Sequence, residues 1–173
     1  VSRFPDRIAQ WEPVLFELHR RHGIHRLLSG ALMDRETRGG TSPLLRPLGP
    51  SGKGDAGHGH GVWQLDDRSH AAFLLERLPD GRFKWEDPLE AGDYAMRTVL
   101  LPALRLFKGD LHFALCAWNA GAGAVKAVLA KAPAHSALAA LHRMADGRTA
   151  HGDFASDVLF RMGCFAVGMD PYP

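Results

Sequence analysis

Apolar residues recur at three- and four-residue intervals along most of this chain, a period that predicts a mainly helical protein. Ile8, Trp11, Leu15 and Leu18 form one stripe and predict a helix over 6–22, ending before Gly23. Ile24, Leu27, Leu28, Ala31 and Leu32 form a second stripe over 24–36, whose apolar face should pack into a core. Beyond Arg38 the periodicity stops. From there to Gly61 the chain turns to Gly, Pro and Ser, in GGTSP and GPSGKGDAGHGHG, which predicts a long loop closed by a short β-ribbon. Residues 62–66 alternate like a strand, with Val62, Gln64 and Asp66 on one face and Trp63 and Leu65 on the other.

Helical spacing resumes over 67–78. A further helix is expected from Pro88, a good first-turn residue behind Asp87 as cap, to about 107, with Pro102 forcing a kink or break. Residues 111–118 are apolar nearly all round, as in a buried central helix. A helix over 125–131 follows the turn at 119–123, then a helical excursion over 133–144. The last helix starts near Asp153 and buries Phe154, Val158, Met162 and Phe165. There is no internal repeat and no linker, so one domain spanning 1–173 is expected.

Composition narrows the class. Of 173 residues, 46% are hydrophobic and 23% charged, as in a globular domain able to bury a core. A net charge of +2 fits a partner with diffuse negative charge, such as a bacterial cell wall, without requiring one. No Lys/Arg stripe suggests nucleic acid, and no apolar run reaches the roughly 18 residues of a membrane span. The opening VSRFPDRIAQ has no signal-peptide core and no Met, as expected of a processed product or a domain cut from a larger chain. Cys116 and Cys164 lie in apolar helical patterns, so buried free thiols are expected, a single bridge being the alternative.

Three carboxylates stand out by position. Glu36 ends the second helix at the edge of its apolar stripe, where partial burial would raise its pKa and suit a general acid. Asp55 and Asp66 flank the glycine-rich ribbon. Inverting cleavage of a glycosidic bond needs one protonated carboxyl and one carboxylate about 6.5–9.5 Å away that activates water. A helix-borne Glu facing ribbon Asp residues can supply that pair. By spacing alone, a solvated helix end and turn-forming aspartates explain the same residues. His58 and His60 share strand spacing, but a metal site wants three or four ligands, so no metal is read here.

The surrounding residues add a resemblance. LLSGALMDRETRGG followed by GDAGHGHGVWQLDDRSH resembles the goose-type lysozyme family, in which a helix ending R-E-S/T precedes a G-D-x-G-x-G-x-G-x-x-Q-x-D ribbon. AWNAGAGAV is similar to the family's Y-N-A-G-x-G turn, and HGDFASDVLFRM to its closing D-Y-x-x-D-V helix. The four blocks run in the family's order from Ile24 to Met162.

The resemblance implies a lysozyme-like α+β domain with a small ribbon and a substrate cleft. It implies a muramidase that hydrolyses, with inversion, the β-1,4 bond between N-acetylmuramic acid and N-acetylglucosamine. Glu36 would be the acid, and Asp66 with Asp55 would hold and deprotonate water. Asp66 is preferred to Asp67 because strand alternation puts Asp67 with core-facing Trp63 and Leu65. Gln64, His60, His70, Trp118, Asn119 and Phe154 would contact sugar. No cofactor is implied. Peptidoglycan strands, in the periplasm or extracellular wall, would be the partner of a monomer that an inhibitor or immunity protein could also meet. The rivals are a lytic transglycosylase, which shares the acid but closes a 1,6-anhydro ring, and a non-catalytic wall-binding module. Trp118 and Phe154 stand where the family favours Tyr, and His60 where it is commonly apolar. The loop after Glu36 is longer than in vertebrate members and their disulfides are missing, which points to a bacterial or phage-like branch.

Overall fold

A computed structural model describes residues 2–172. The chain is mainly helical, with one small three-stranded antiparallel ribbon. Its contacts cluster into two compact units, one of residues up to Met96 together with those from Arg161 onward, the other of Arg97–Phe160.

In the first unit the helix expected over 6–22 is two, α1 (Asp6–Ala9) and α2 (Glu12–His22). Pro13 explains the break. It has no N–H to donate and its ring crowds the carbonyl four residues back, so the helix restarts with Pro13 in its first turn. Gly23, at φ 70°, ends α2. Helix α3 (Arg26–Thr37) is capped by the His25 ring, which accepts from the Leu27 N–H, and closes at Arg38 in the left-handed region. Leu15, Leu18, Leu32, Met33, Trp63 and Ala95 are among the core residues of this unit.

The loop leads into β1 (Lys53–Gly54), β2 (Gly59–His60) and β3 (Leu65–Asp66), paired in that order. Gly54 pairs with Gly59 and Gly59 with Asp66, so the three form one row across the ribbon. The strand expected over 62–66 is corrected. Gly61–Gln64 is a tight turn, with Gln64 at φ 48°, and only Leu65 and Asp66 are extended. Val62 and Trp63 are both buried, so Val62 does not lie on an open face as the alternation placed it. Tertiary bonds decide it: the Trp63 indole donates to the Pro88 carbonyl (2.8 Å), and the Val62 carbonyl accepts from Thr37 (3.0 Å). A Cβ at Gly92 would sit 2.8 Å from Leu18 Cδ1 and 3.0 Å from the Trp63 indole nitrogen, so a side chain there would force both neighbours to shift.

Helix α4 (Asp67–Leu74) is shorter than expected. Helix α5 (Pro88–Ala95) starts as read, with the Asp87 carboxylate accepting from the Leu89 and Glu90 N–H groups. The break expected at Pro102 takes the form of one wide π-helical turn, Met96–Leu100, before α6 (Leu101–Leu106). The second unit continues with α7 (Leu111–Ala120), α8 (Ala122–Lys131) and α9 (Leu138–Asp146), around Phe113, Leu115, Ala117 and Val125. Helix α10 (Phe154–Ala166) closes the chain's regular structure. Cys116 and Cys164 are buried free thiols, as expected.

Candidate functional site

Glu36 is the penultimate residue of α3 and is half-buried. Two nearby polar residues of α3, Asp34 and Thr37, fix that helix end. Asp34, fully buried, accepts from Arg7 (2.6 Å) and Arg161 (2.6 Å). The Thr37 hydroxyl is shared between the carbonyls of Met33 (3.2 Å) and Val62 (3.0 Å), and accepts from the Gly40 N–H (3.1 Å). Thr37 therefore ties the helix end that carries Glu36 to the turn that carries Gln64, Leu65 and Asp66.

The two ribbon aspartates are brought together by a residue that sequence reasoning missed. Asp55 sits at φ 47°, a conformation that a short polar side chain tolerates. Asp66 caps α4, accepting from the Arg68 N–H at 2.8 Å. The Arg68 guanidinium then contacts both oxygens of Asp66 (2.6–3.1 Å) and Oδ2 of Asp55 (2.9 Å). Those side-chain hydrogen bonds hold the Asp66 carboxyl below its usual range, against a smaller effect of burial. The Asp55 side chain is 68% exposed and, among the described residues, its carboxylate is bonded only by Arg68. The signal was present as D-D-R, an arginine two residues beyond a capping aspartate.

Asp67 does not face the core with Trp63 and Leu65, as strand alternation predicted. Its side chain is 40% exposed, accepts from His58 Nδ1 (2.9 Å) and lies 3.8 Å from His60 Nε2. The alternation ends at Asp66 because Asp67 already belongs to α4. The His58 hydrogen bond holds the Asp67 carboxyl low. His60 is buried, edge-on to Trp85 at 4.9 Å, and burial lowers its pKa. It therefore presents little surface to a ligand.

Gln64 explains the ribbon's glycines. Its amide nitrogen donates to the Gly61 carbonyl (2.7 Å), and its amide oxygen lies where a Cβ on Gly54 or Gly59 would have to be. Any side chain at either glycine would evict it. His70 is half-buried, with Nδ1 3.2 Å from the Tyr94 hydroxyl and its ring edge-on to Tyr94, and burial lowers its pKa.

The remaining candidates belong to the second unit. Trp118 is half-buried near the end of α7. Exposed Asn119 has a structural bond, its side-chain oxygen accepting from the Ala150 N–H at 2.7 Å. Phe154 is 2% exposed, a core residue at the start of α10. Sequence reading also passed over Asp146, whose buried carboxylate accepts from the N–H groups of Ala155 (2.9 Å) and Ser156 (3.0 Å) in the first turn of α10. No local pattern announces a cap supplied from another helix.

No protein-family model matches the chain, and comparison with curated proteins gives no match.

Proposed function

We propose that this chain is a peptidoglycan muramidase with a lysozyme-like fold of the goose type, hydrolysing the β-1,4 bond between N-acetylmuramic acid and N-acetylglucosamine. The supporting observation is the Thr37–Val62 hydrogen bond, which couples the helix end bearing half-buried Glu36 to a ribbon on which Arg68 gathers Asp55 and Asp66. A protonated carboxyl on one element and ionised carboxylates on the other are the parts that inverting hydrolysis requires.

In this reading Glu36 protonates the departing glycosidic oxygen. Positive charge grows on the sugar ring, and Asp66, kept ionised by Arg68, stabilises it. A depressed pKa makes Asp66 a weak proton acceptor. Asp55, with only one oxygen engaged, holds the attacking water and takes its proton, while Asp66 stays ionised beside it. Gln64 and His70 line the sugar path, and no cofactor enters. The reaction belongs to the periplasm or the extracellular wall, where the glycan strands are.

One observation favours the transglycosylase alternative. Arg68 occupies both oxygens of Asp66, and a site with no carboxylate for water would instead close the sugar's own hydroxyl into a 1,6-anhydro ring. Digestion of purified sacculi by wild-type and Glu36→Gln protein tests the proposal. Release of disaccharide muropeptides by the first and not the second supports it. Equal release, or none by either folded protein, defeats it.

A further inference from the structure

His112 and Cys116 lie four residues apart on α7 and so share one face of the helix. Asp146, the last residue of α9, brings its carboxylate to that face. Its Oδ2 is 3.4 Å from His112 Nε2 and its Oδ1 is 4.0 Å from Cys116 Sγ. One donor atom from each residue lies within 4.8 Å of the other two. Tetrahedral zinc bond lengths imply separations of about 3.4 Å for N···O and about 3.6 Å for S···O. The first is already met at Oδ2, while Cys116 Sγ lies nearest the other carboxylate oxygen and must move in to share a single ion with Nε2.

The histidine is prepared as a ligand. Its Nε2 is buried without a hydrogen-bond partner, as in the tautomer that carries the proton on Nδ1. A neutral ring in that tautomer turns the Nε2 lone pair toward a carboxylate oxygen. Two acceptors then face each other, an arrangement that a cation between them relieves. Surrounding groups hold the set in place. The His142 ring stacks on His112 at 4.3 Å and is itself bonded to Asp110 at 2.9 Å. Asp146 is oriented by Thr149, Ala155 and Ser156. Bonds of this kind commonly fix the orientation of metal ligands.

We infer that His112, Cys116 and Asp146 bind a divalent ion of the zinc class, tying α7 to the junction of α9 and α10. Nitrogen, sulfur and oxygen together suit that ion, and three protein ligands leave one position for solvent. Binding breaks the Cys116 S–H bond, sends the proton to solvent and forms a sulfur–metal bond.

The competing occupant is a proton on His112, which would pair with Asp146 and leave the thiol unused. Cobalt distinguishes the two. Chelator-stripped full-length protein should take up one equivalent of Co²⁺, with visible bands of a tetrahedral ion and a sulfur-to-cobalt charge-transfer band, both lost on adding Zn²⁺. Cys116→Ser should abolish the charge-transfer band, and Cys164→Ser should keep it. Zinc should raise the melting temperature of wild type and leave His112→Gln unchanged. Folded wild-type protein that shows no charge-transfer band at stoichiometric cobalt overturns the site, as does a band that survives Cys116→Ser.

Discussion

Two arginine–aspartate networks in the first unit use the same chemistry at different depths. Asp34 is fully buried, and Arg7 and Arg161 close on it from α1 and α10. Arg7 also reaches Asp170 (2.7 Å), and the Tyr172 ring lies under Arg7, Arg38 and Arg161 at 4.1–4.8 Å. The Arg68 network with Asp55 and Asp66 lies on the exposed ribbon. Water screens such a surface pair, which contributes little to stability. A buried pair is different, because removing one partner strands the other in a poor solvent. The inner network is thus structural, fixing the α3 helix that carries Glu36. The outer one can be spent on a ligand, since breaking it endangers little of the fold.

The largest effect should come from the inner network. Asp34→Ala removes the buried carboxylate that Arg7 and Arg161 share and should cost about 3–5 kcal/mol of stability, read from denaturant unfolding. A loss under about 1 kcal/mol would mean that water reaches the cluster and the contrast is false. Glu36→Gln comes next. It should keep its unfolding midpoint and lose at least roughly a hundredfold in rate, about 2.7 kcal/mol of barrier, measured by clearing of cell-wall suspensions.

Arg68→Gln sharpens the outer half of the comparison. The unfolding midpoint should stay nearly where it is, because solvent screens the pair, while the pH profile of kcat/KM moves. Arg68 holds the folded Asp66 pKa below its ordinary value of 3.8, so the ionised form, and the stability it brings, persists at high pH and is lost only as pH falls through the lowered value. Without Arg68 the carboxyl protonates at higher pH, and the acidic limb should shift toward neutrality. An unmoved limb would take Asp66 out of the reaction. Asp67→Asn should be the mildest, changing rate by no more than about threefold, because its partners are His58 and His60 and not Arg68. If it proves more damaging than both Asp55→Asn and Asp66→Asn, the water-holding role belongs to Asp67.

The difference between the networks also explains what could be read from sequence. Helices announced themselves by their 3.6-residue period, and the cap at Asp87 by its neighbour Pro88, because both are local. Pro13 was equally local, yet the stripe Ile8–Trp11–Leu15 ran through it and hid the break between α1 and α2. Glu36, Asp55 and Asp66 could be singled out because their motifs are contiguous. Asp34 looked like any polar helix residue, since its partner Arg161 lies 127 positions away. The turn at Gly61–Gln64 was misread as strand for the same reason: bonds to Thr37 and Pro88 set it, and nothing within 62–66 shows them.

The central claim is that water, held by an aspartate, attacks the sugar after Glu36 protonates the bond. Digestion of peptidoglycan in heavy-oxygen water, followed by mass spectrometry of the released muropeptides, tests it directly. Heavy oxygen should appear at the new N-acetylmuramic acid reducing ends, at one atom per cleavage. Unlabelled 1,6-anhydro ends would contradict the account and assign the chain to ring closure without water.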